Sequence, residues 1–148
     1  MAESDGLRTS KPHPMQVMCL RLLPGEDLLQ RLLDFVEEHE LEAACILTCV
    51  GSTGQTTLRP AGVPVPKVLT GKFEIGKEGH HVHMSVSDDT CTVFGGHLLK
   101  GSLVRTTAEI VIGAIDGVKF TRPQDSRTGY DELHIEEVSG HPSKRQKT

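Results

Sequence analysis

The segment from Gly79 to Leu98 reads GHHVHMSVSDDTCTVFGGHL, and it contains two alternating runs on either side of an acidic turn. Alternation of apolar and polar residues is typical of strands with one buried face. The sequence therefore predicts strands over 80–86 and 91–99, joined through 87–90 as a hairpin. This hairpin indicates a fold built mainly from an antiparallel sheet, because the segments on both sides of it have the same strand character.

Strand alternation sorts the histidines of this segment onto two faces. His80 shares a face with Met84 and with the valines between and beyond them, so we expect it to point toward the core. His81 and His83 then point away from the core together. Their Cα atoms lie about 6.8 Å apart along a strand, which lets two imidazoles reach one ion.

The hairpin register decides whether a third histidine joins them. With a three-residue loop, His83 faces Gly95 and His81 faces His97 on the same side of the sheet. With a two-residue loop, His97 falls on the wrong face, unless a bulge at Gly95 and Gly96 restores the register.

The trio has two readings. Three histidines that leave one coordination position open are typical of a catalytic zinc site, and they also suit other divalent metals. The alternative is a pair of solvated histidines on an exposed strand. The prediction is a site for a divalent metal, zinc in the first place, at His81, His83 and His97.

Outward from the hairpin, the chain predicts one helix and further strands. Residues 26–40 have apolar side chains at helical spacing and two acids in the first turn, which predicts a helix. Strands are predicted over 15–23, 43–50, 56–59, 67–75, 102–115 and 130–138, with turns or loops at 51–54 and 118–129. Few connections reach the dozen or so residues that a parallel crossover needs. The prediction is an α+β domain, a mainly antiparallel twisted sheet with one long helix packed on it.

Both ends of the chain are polar. Residues 1–14 and 139–148 are predicted to be disordered tails around a single domain over 15–138. In the basic second tail, Lys144, Arg145 and Lys147 resemble a short nuclear-import signal. No secretory signal is visible, and no apolar run approaches the roughly 20 residues that span a bilayer. We expect an intracellular protein, cytoplasmic or nuclear, with no membrane partner.

Composition limits the classes of function. The formal net charge is −4, which gives no overall basic field for non-specific binding to nucleic acid. The four cysteines contain no C-x-x-C motif, so we expect buried, reduced thiols in an intracellular protein. The hydrophobic fraction of 36% includes only one Tyr and no Trp, which predicts an aliphatic core.

Four other residues are candidates for a pocket. Glu74 and Glu109 lie inside apolar strands, where each suits a ligand, a base or an ion-pair partner of Arg105. Tyr130 follows a glycine-bearing loop and suits the same pocket, although turn chemistry explains that loop equally well. No nucleotide-binding or hydrolase motif is present, so the sequence assigns no reaction, and whether the protein is an enzyme stays open.

Several phrases in a fixed order resemble the plants and prokaryotes conserved (PPC) domain. The resemblance extends over about residues 15–137, and the phrases are LRLLPGEDLLQRLLDFVEEHELEAACILTCVGS (20–52), LTGKFEI (69–75), the histidine hairpin (79–98), TTAEIVIG (106–113) and TGYDEL (128–133). The chain is therefore identified as a free-standing member of this family.

The resemblance implies an α+β fold, a homotrimer and a metal gathered by the H-x-H and G-G-H histidines, here His81, His83 and His97. It also implies the DNA-binding label that such proteins carry by analogy with plant members, whose AT-hooks bind the minor groove and whose domain mediates partner contacts. This chain has no R-G-R-P hook, so direct DNA binding loses its physical basis. The alternative function is a nuclear DNA-associated or protein-interaction module without sequence-specific DNA contact.

Overall fold

A computed structural model describes residues 9–77 and 82–138, with the side chains of 74–77 left undescribed. The described chain forms one helix and eight strands. In chain order they are β1 (Met15–Leu22), α1 (Leu28–Glu38), β2 (Ala44–Arg59), β3 (Lys67–Lys77), β4 (His83–Ser87), β5 (Val93–Leu98), β6 (Leu103–Ile115), β7 (Val118–Thr121) and β8 (His134–Glu137).

Six of the strands form one antiparallel sheet in the order β1-β6-β2-β3-β4-β5. The sheet also closes on itself, because β5 pairs with the end of β2 through Leu58 with Leu98 and Arg59 with His97. β7 and β8 form a separate two-stranded sheet. The prediction of an α+β domain with a mainly antiparallel sheet is confirmed.

The core lies between α1 and one face of the large sheet. β6 contributes alternate residues, Val104, Ala108, Ile110 and Ile112, all of which are buried. The helix meets them with Leu28, Leu32 and Phe35. Side chains from β4 and β5, among them Val86 and Leu98, complete an aliphatic core as composition predicted.

The prediction of a long helix is wrong, since α1 has only 11 residues. Asp27, expected inside the first turn, is instead the N-cap, and its carboxylate accepts a hydrogen bond from the backbone N–H of Gln30. Because Asp27 caps the helix with its side chain, the helix begins at Leu28, one residue after the cap. At the other end, Glu40 has a positive φ of 50°, which is incompatible with continuing the helix to residue 40.

Two loop predictions are also wrong. Residues 51–54 lie inside β2, which runs unbroken past Gly51 because β6 and β3 pair with it on either side. A Cβ at Gly51 would lie 2.2 Å from the backbone oxygen of Thr107, so this glycine permits close strand approach and does not make a turn. Residues 118–121, expected to be loop, form β7, and the final strand begins at His134 instead of Tyr130.

The four cysteines are free thiols, as predicted, but they are less buried than expected. Cys19 and Cys91 are exposed, whereas Cys45 and Cys49 are partly buried. Alternation explains Cys19, which lies on the outer face of β1, opposite the face that carries Leu20 and Leu22. Among the described residues, no helix is long and apolar enough to cross a membrane.

Candidate functional site

The hairpin of β4 and β5 has a wider loop than the sequence predicted. Ser87 pairs with Val93 and His83 with His97, so residues 88–92 form a five-residue loop. Neither the three-residue loop nor the two-residue loop considered from the sequence occurs, and His97 lies opposite His83. The loop is closed by the Asp88 carboxylate, which accepts hydrogen bonds from the backbone N–H groups of Thr90 and Thr92. The hydroxyl of Thr90 also donates to this carboxylate, and that hydrogen bond, together with the two backbone ones, holds the pKa of Asp88 below its usual value.

His83 and His97 meet on one face of the hairpin. Nε2 of His83 lies 2.8 Å from Nδ1 of His97, and the rings are perpendicular with centroids 4.2 Å apart. Both residues are partly buried. Two neutral imidazoles share such a hydrogen bond only when one donates its N–H and the other accepts. Nε2 of His83 and Nδ1 of His97 therefore point toward the same small region between the two rings.

The pair has the donor chemistry that a divalent metal requires. Zinc binds imidazole nitrogen at roughly 2.0–2.1 Å, which separates two tetrahedral ligand atoms by about 3.3 Å and two octahedral neighbours by about 2.9 Å. The observed 2.8 Å separation is close to the octahedral value, and a rotation of the rings that opens it by about half an ångström gives the tetrahedral one. To bind an ion here, the ring that donates the shared proton would have to carry its proton on the other nitrogen, so that both neutral rings present a lone pair to the metal.

The third predicted ligand, His81, lies outside the described residues. Among the side chains described, those of residues 9–73 and 82–138, no three from His, Cys, Asp or Glu are grouped so that they could hold a metal ion. The described part of the site is therefore a pair, His83 and His97, and the trio stays a prediction.

Arg59 is a residue of this site that the sequence did not reveal. It lies directly opposite His97 where β2 closes on β5, while His83 lies opposite His97 on the other side. Directly opposed residues share a face, so the three side chains form one row across β2, β5 and β4. The pairing of β2 with β5 joins residues about forty apart in the chain, and no local pattern signals such a contact.

Gly96 permits this closure. A Cβ at Gly96 would lie 2.8 Å from the backbone oxygen of Arg59 and 3.1 Å from its carbonyl carbon. The β4–β5 register is regular through Gly95 and Gly96, so the bulge considered from sequence is absent. The glycine instead lets β5 approach the end of β2.

The other pocket candidates lie elsewhere on the molecule. Glu74 pairs in backbone register with Ser52 and Ser87. Arg105 and Glu109 are exposed on β6, and no ion pair between them occurs in the described structure. Tyr130 is 74% exposed in the loop between β7 and β8. Their shared pocket stays a prediction, while the three basic residues at 144, 145 and 147 lie outside the described residues.

One curated relative is the bifunctional protein GlmU of Synechococcus sp. (strain JA-2-3B'a(2-13)). It is 39% identical over 152 residues, an alignment that covers 93% of this chain and 24% of the relative. The chain thus spans about a quarter of the length of this larger protein.

Solved structures agree with the fold. A hypothetical protein from Salmonella cholerae-suis is 38% identical with a TM-score of 0.82, covering 86% of this chain and 97% of its own. A metal-containing protein from Archaeoglobus fulgidus is 24% identical with a TM-score of 0.68, covering 84% and 99%. A protein from Bacteroides thetaiotaomicron named for a suggested DNA-binding role is 16% identical with a TM-score of 0.66, covering 82% and 96%.

The family profile of the Plants and Prokaryotes Conserved (PCC) domain, the family abbreviated PPC above, matches residues 9–116. This match covers most of the chain and includes the row of Arg59, His97 and His83. The order of strands and the histidine hairpin agree with the phrases that carried the resemblance in the sequence. The chain belongs to the Plants and Prokaryotes Conserved domain family.

Proposed function

We propose that this chain is a trimeric metal-binding module, with a divalent ion, zinc in the first place, held by His81, His83 and His97. The observation that carries the proposal is the 2.8 Å approach of His83 Nε2 to His97 Nδ1 on neighbouring strands. His81 is two residues before His83, which is the spacing of side chains on one strand face. The metal-containing neighbour from Archaeoglobus fulgidus adds support at the level of the fold.

The chain's own residues give the site its form. β4 and β5 hold the two imidazoles perpendicular to each other, so a metal ion needs little rearrangement of either ring. The next pair on the same face is Ser85 with Gly95, and a serine and a glycine are small enough to leave one side of the imidazoles accessible. When bound, a divalent ion supplies Lewis acidity at that position, which is the basis for a ligand-binding role or an undiscovered activity.

Elemental analysis of the purified protein tests the metal site. We expect about one divalent ion per chain in wild type and in a His134→Ala control, whose histidine lies on β8 away from the hairpin. We expect less than about a tenth of an ion per chain in His83→Ala/His97→Ala and in His81→Ala/His83→Ala, because the loss of two ligands abolishes a three-ligand site. Equal metal content in wild type and both double variants would refute the proposal.

The trimer part of the proposal is supported by an apolar surface on the sheet face opposite the core. We call it the outer face and define it by β1, β6 and β2, where Val17 is 57% exposed and Val50 is 62% exposed. Cys19 lies on the same face. Exposed apolar side chains on a sheet face are typical of an interface. Among the described strands the edge strand β1 pairs only with β6, and it gains from being covered.

A second candidate is a nuclear DNA-associated or protein-interaction module. The observations that favour it are the name of the Bacteroides thetaiotaomicron neighbour and the basic group Lys144, Arg145 and Lys147. The net charge of −4 opposes direct binding. Titration of duplex DNA at physiological salt separates the two candidates: we expect no salt-dependent binding tighter than about 10⁻⁴ M. Tighter binding that weakens with salt favours the DNA-associated function.

A further inference from the structure

We propose that Arg59 makes the histidine site selective for a small oxyanion, a carboxylate or phosphate group of a ligand. One oxygen of that group would complete the coordination of the ion, and the guanidinium of Arg59 would bind the others. This inference rests on the proposed metal site, and it adds the chemical class of the ligand.

The first support is position. Arg59 and His83 flank His97 in one row across three paired strands, and directly opposed Cβ atoms on a sheet are about 4.5–5.5 Å apart. The close approach at Gly96 fixes the backbone of Arg59 against β5. The backbone of Arg59 is therefore held next to His97. From this position its long side chain can reach a group bound between the two imidazoles.

The second support is charge. Arg59 is partly buried, and its guanidinium has no hydrogen bond or ion pair with the side chains described over residues 9–73 and 82–138. Arg31 and Arg127, in contrast, pair with Glu26 and Asp125, respectively. With no carboxylate beside it, the charge of Arg59 is available to an incoming anion, and at a partly buried position water screens that attraction less than at a fully exposed one.

The third support is chemical shape and space. Guanidinium presents a planar fork of N–H donors that matches the oxygens of carboxylate and phosphate in a bidentate pair. On the same face, Ser85 and Gly95 form the neighbouring pair, and a Cβ at Gly95 would make only ordinary contacts at 3.6 Å or more. A small group can thus approach the row from the side of Ser85 and Gly95.

The experiment compares Arg59→Gln with Arg105→Gln as a matched control. Arg105 is exposed on β6 and does not belong to the row. Each purified protein is analysed for metal content and then titrated calorimetrically with inorganic phosphate in one arm and acetate in the other. We expect Arg59→Gln to keep its metal and to bind the preferred anion about ten-fold or more weakly, as loss of a charge-assisted hydrogen bond predicts. Arg105→Gln should match wild type in both measurements.

A further variant, Arg59→Lys, keeps the charge and removes the fork, so an affinity between those of wild type and Arg59→Gln supports the bidentate pair. Equal anion affinity in wild type and Arg59→Gln, with metal retained, overturns the oxyanion inference alone. Metal-loaded wild type that binds neither anion overturns it as well. Wild type without metal overturns the proposed function and, with it, this inference.

Discussion

At the residue scale, Asp27 connects the helix to the sheet. One carboxylate oxygen accepts a hydrogen bond from the backbone N–H of Gln30, and the other accepts from that of Gly101 just before β6. The same side chain therefore starts α1 and fixes the loop that leads into the core strand. The sequence predicted an acid near the start of the helix. The hydrogen bond to the loop before β6 could not be predicted, because Gly101 lies 74 residues away in the chain.

Replacement of Asp27 by alanine tests this double cap. We expect Asp27→Ala to lower the free energy of unfolding by about 1–2 kcal/mol, since an N-cap and a second hydrogen bond are both lost. Asp34→Ala is the control, because Asp34 lies on α1 and, within the described structure, its carboxylate accepts hydrogen bonds from Gln30 and Arg31 of the same helix. Urea unfolding measures both, and equal losses would contradict the special position of Asp27.

Burial also separates the cysteines. Desolvation raises the pKa of the Cys49 thiol to about 11, so about a thousandth of it is thiolate at pH 8. Cys91 is exposed in the hairpin loop. We expect iodoacetamide at pH 8 to modify Cys91 long before Cys49, and the difference to disappear in denaturant. Mass spectrometry of peptides over time gives the rates, and comparable rates in the folded protein would show that Cys49 is accessible.

At the element scale, the β4–β5 hairpin shows how much the alternation of residues along two strands can predict about their pairing. Alternation left the face of His97 open between two loop lengths. The structure agrees with the three-residue alternative on the face alone, because loops of three and five residues both put His97 on the same side as His83. Alternation did not set the register, since that depends on Asp88 closing a loop that extends to Thr92. A short run of polar residues is compatible with loops of several lengths, so the residue that pairs with His97 could not be predicted from the sequence.

Strand approach at Gly96 gives an element-scale prediction. We expect Gly96→Ala to destabilise the protein by about 1–3 kcal/mol, because its Cβ meets the backbone of Arg59 and forces β5 away from β2. Gly95→Ala should change stability little, because its Cβ makes only ordinary contacts. Thermal unfolding of the two variants side by side is the measurement, and two equal melting temperatures would argue against the close approach.

At the scale of the whole molecule, the closure of the sheet through β2 and β5 brings Arg59 to the histidines. The fold class followed from short connections and alternation, both of which are local. The pairing of β5 with β2 does not follow from local patterns, because it depends on how strongly the whole sheet is curved. Arg59 itself precedes a proline-rich stretch and shows no periodicity that separates it from a surface residue.

The outer face gives a prediction for the assembly. We expect wild type to sediment at three times the chain mass of 16.1 kDa and Val17→Asp to dissociate, since a charge on this apolar face is costly to bury. Val63→Asp is the control, as Val63 is exposed in the β2–β3 connection away from the face. A monomeric wild type would remove the trimer from the account.

The central claim is that His83 and His97 hold a metal ion, and anomalous X-ray diffraction tests it most directly. Crystals are grown without added metal, and data are collected on both sides of the zinc absorption edge. We predict an anomalous peak within about 2.0–2.3 Å of His83 Nε2 and His97 Nδ1, with His81 as a further ligand. A well-ordered site with no peak and with the two nitrogens still sharing a hydrogen bond would contradict it.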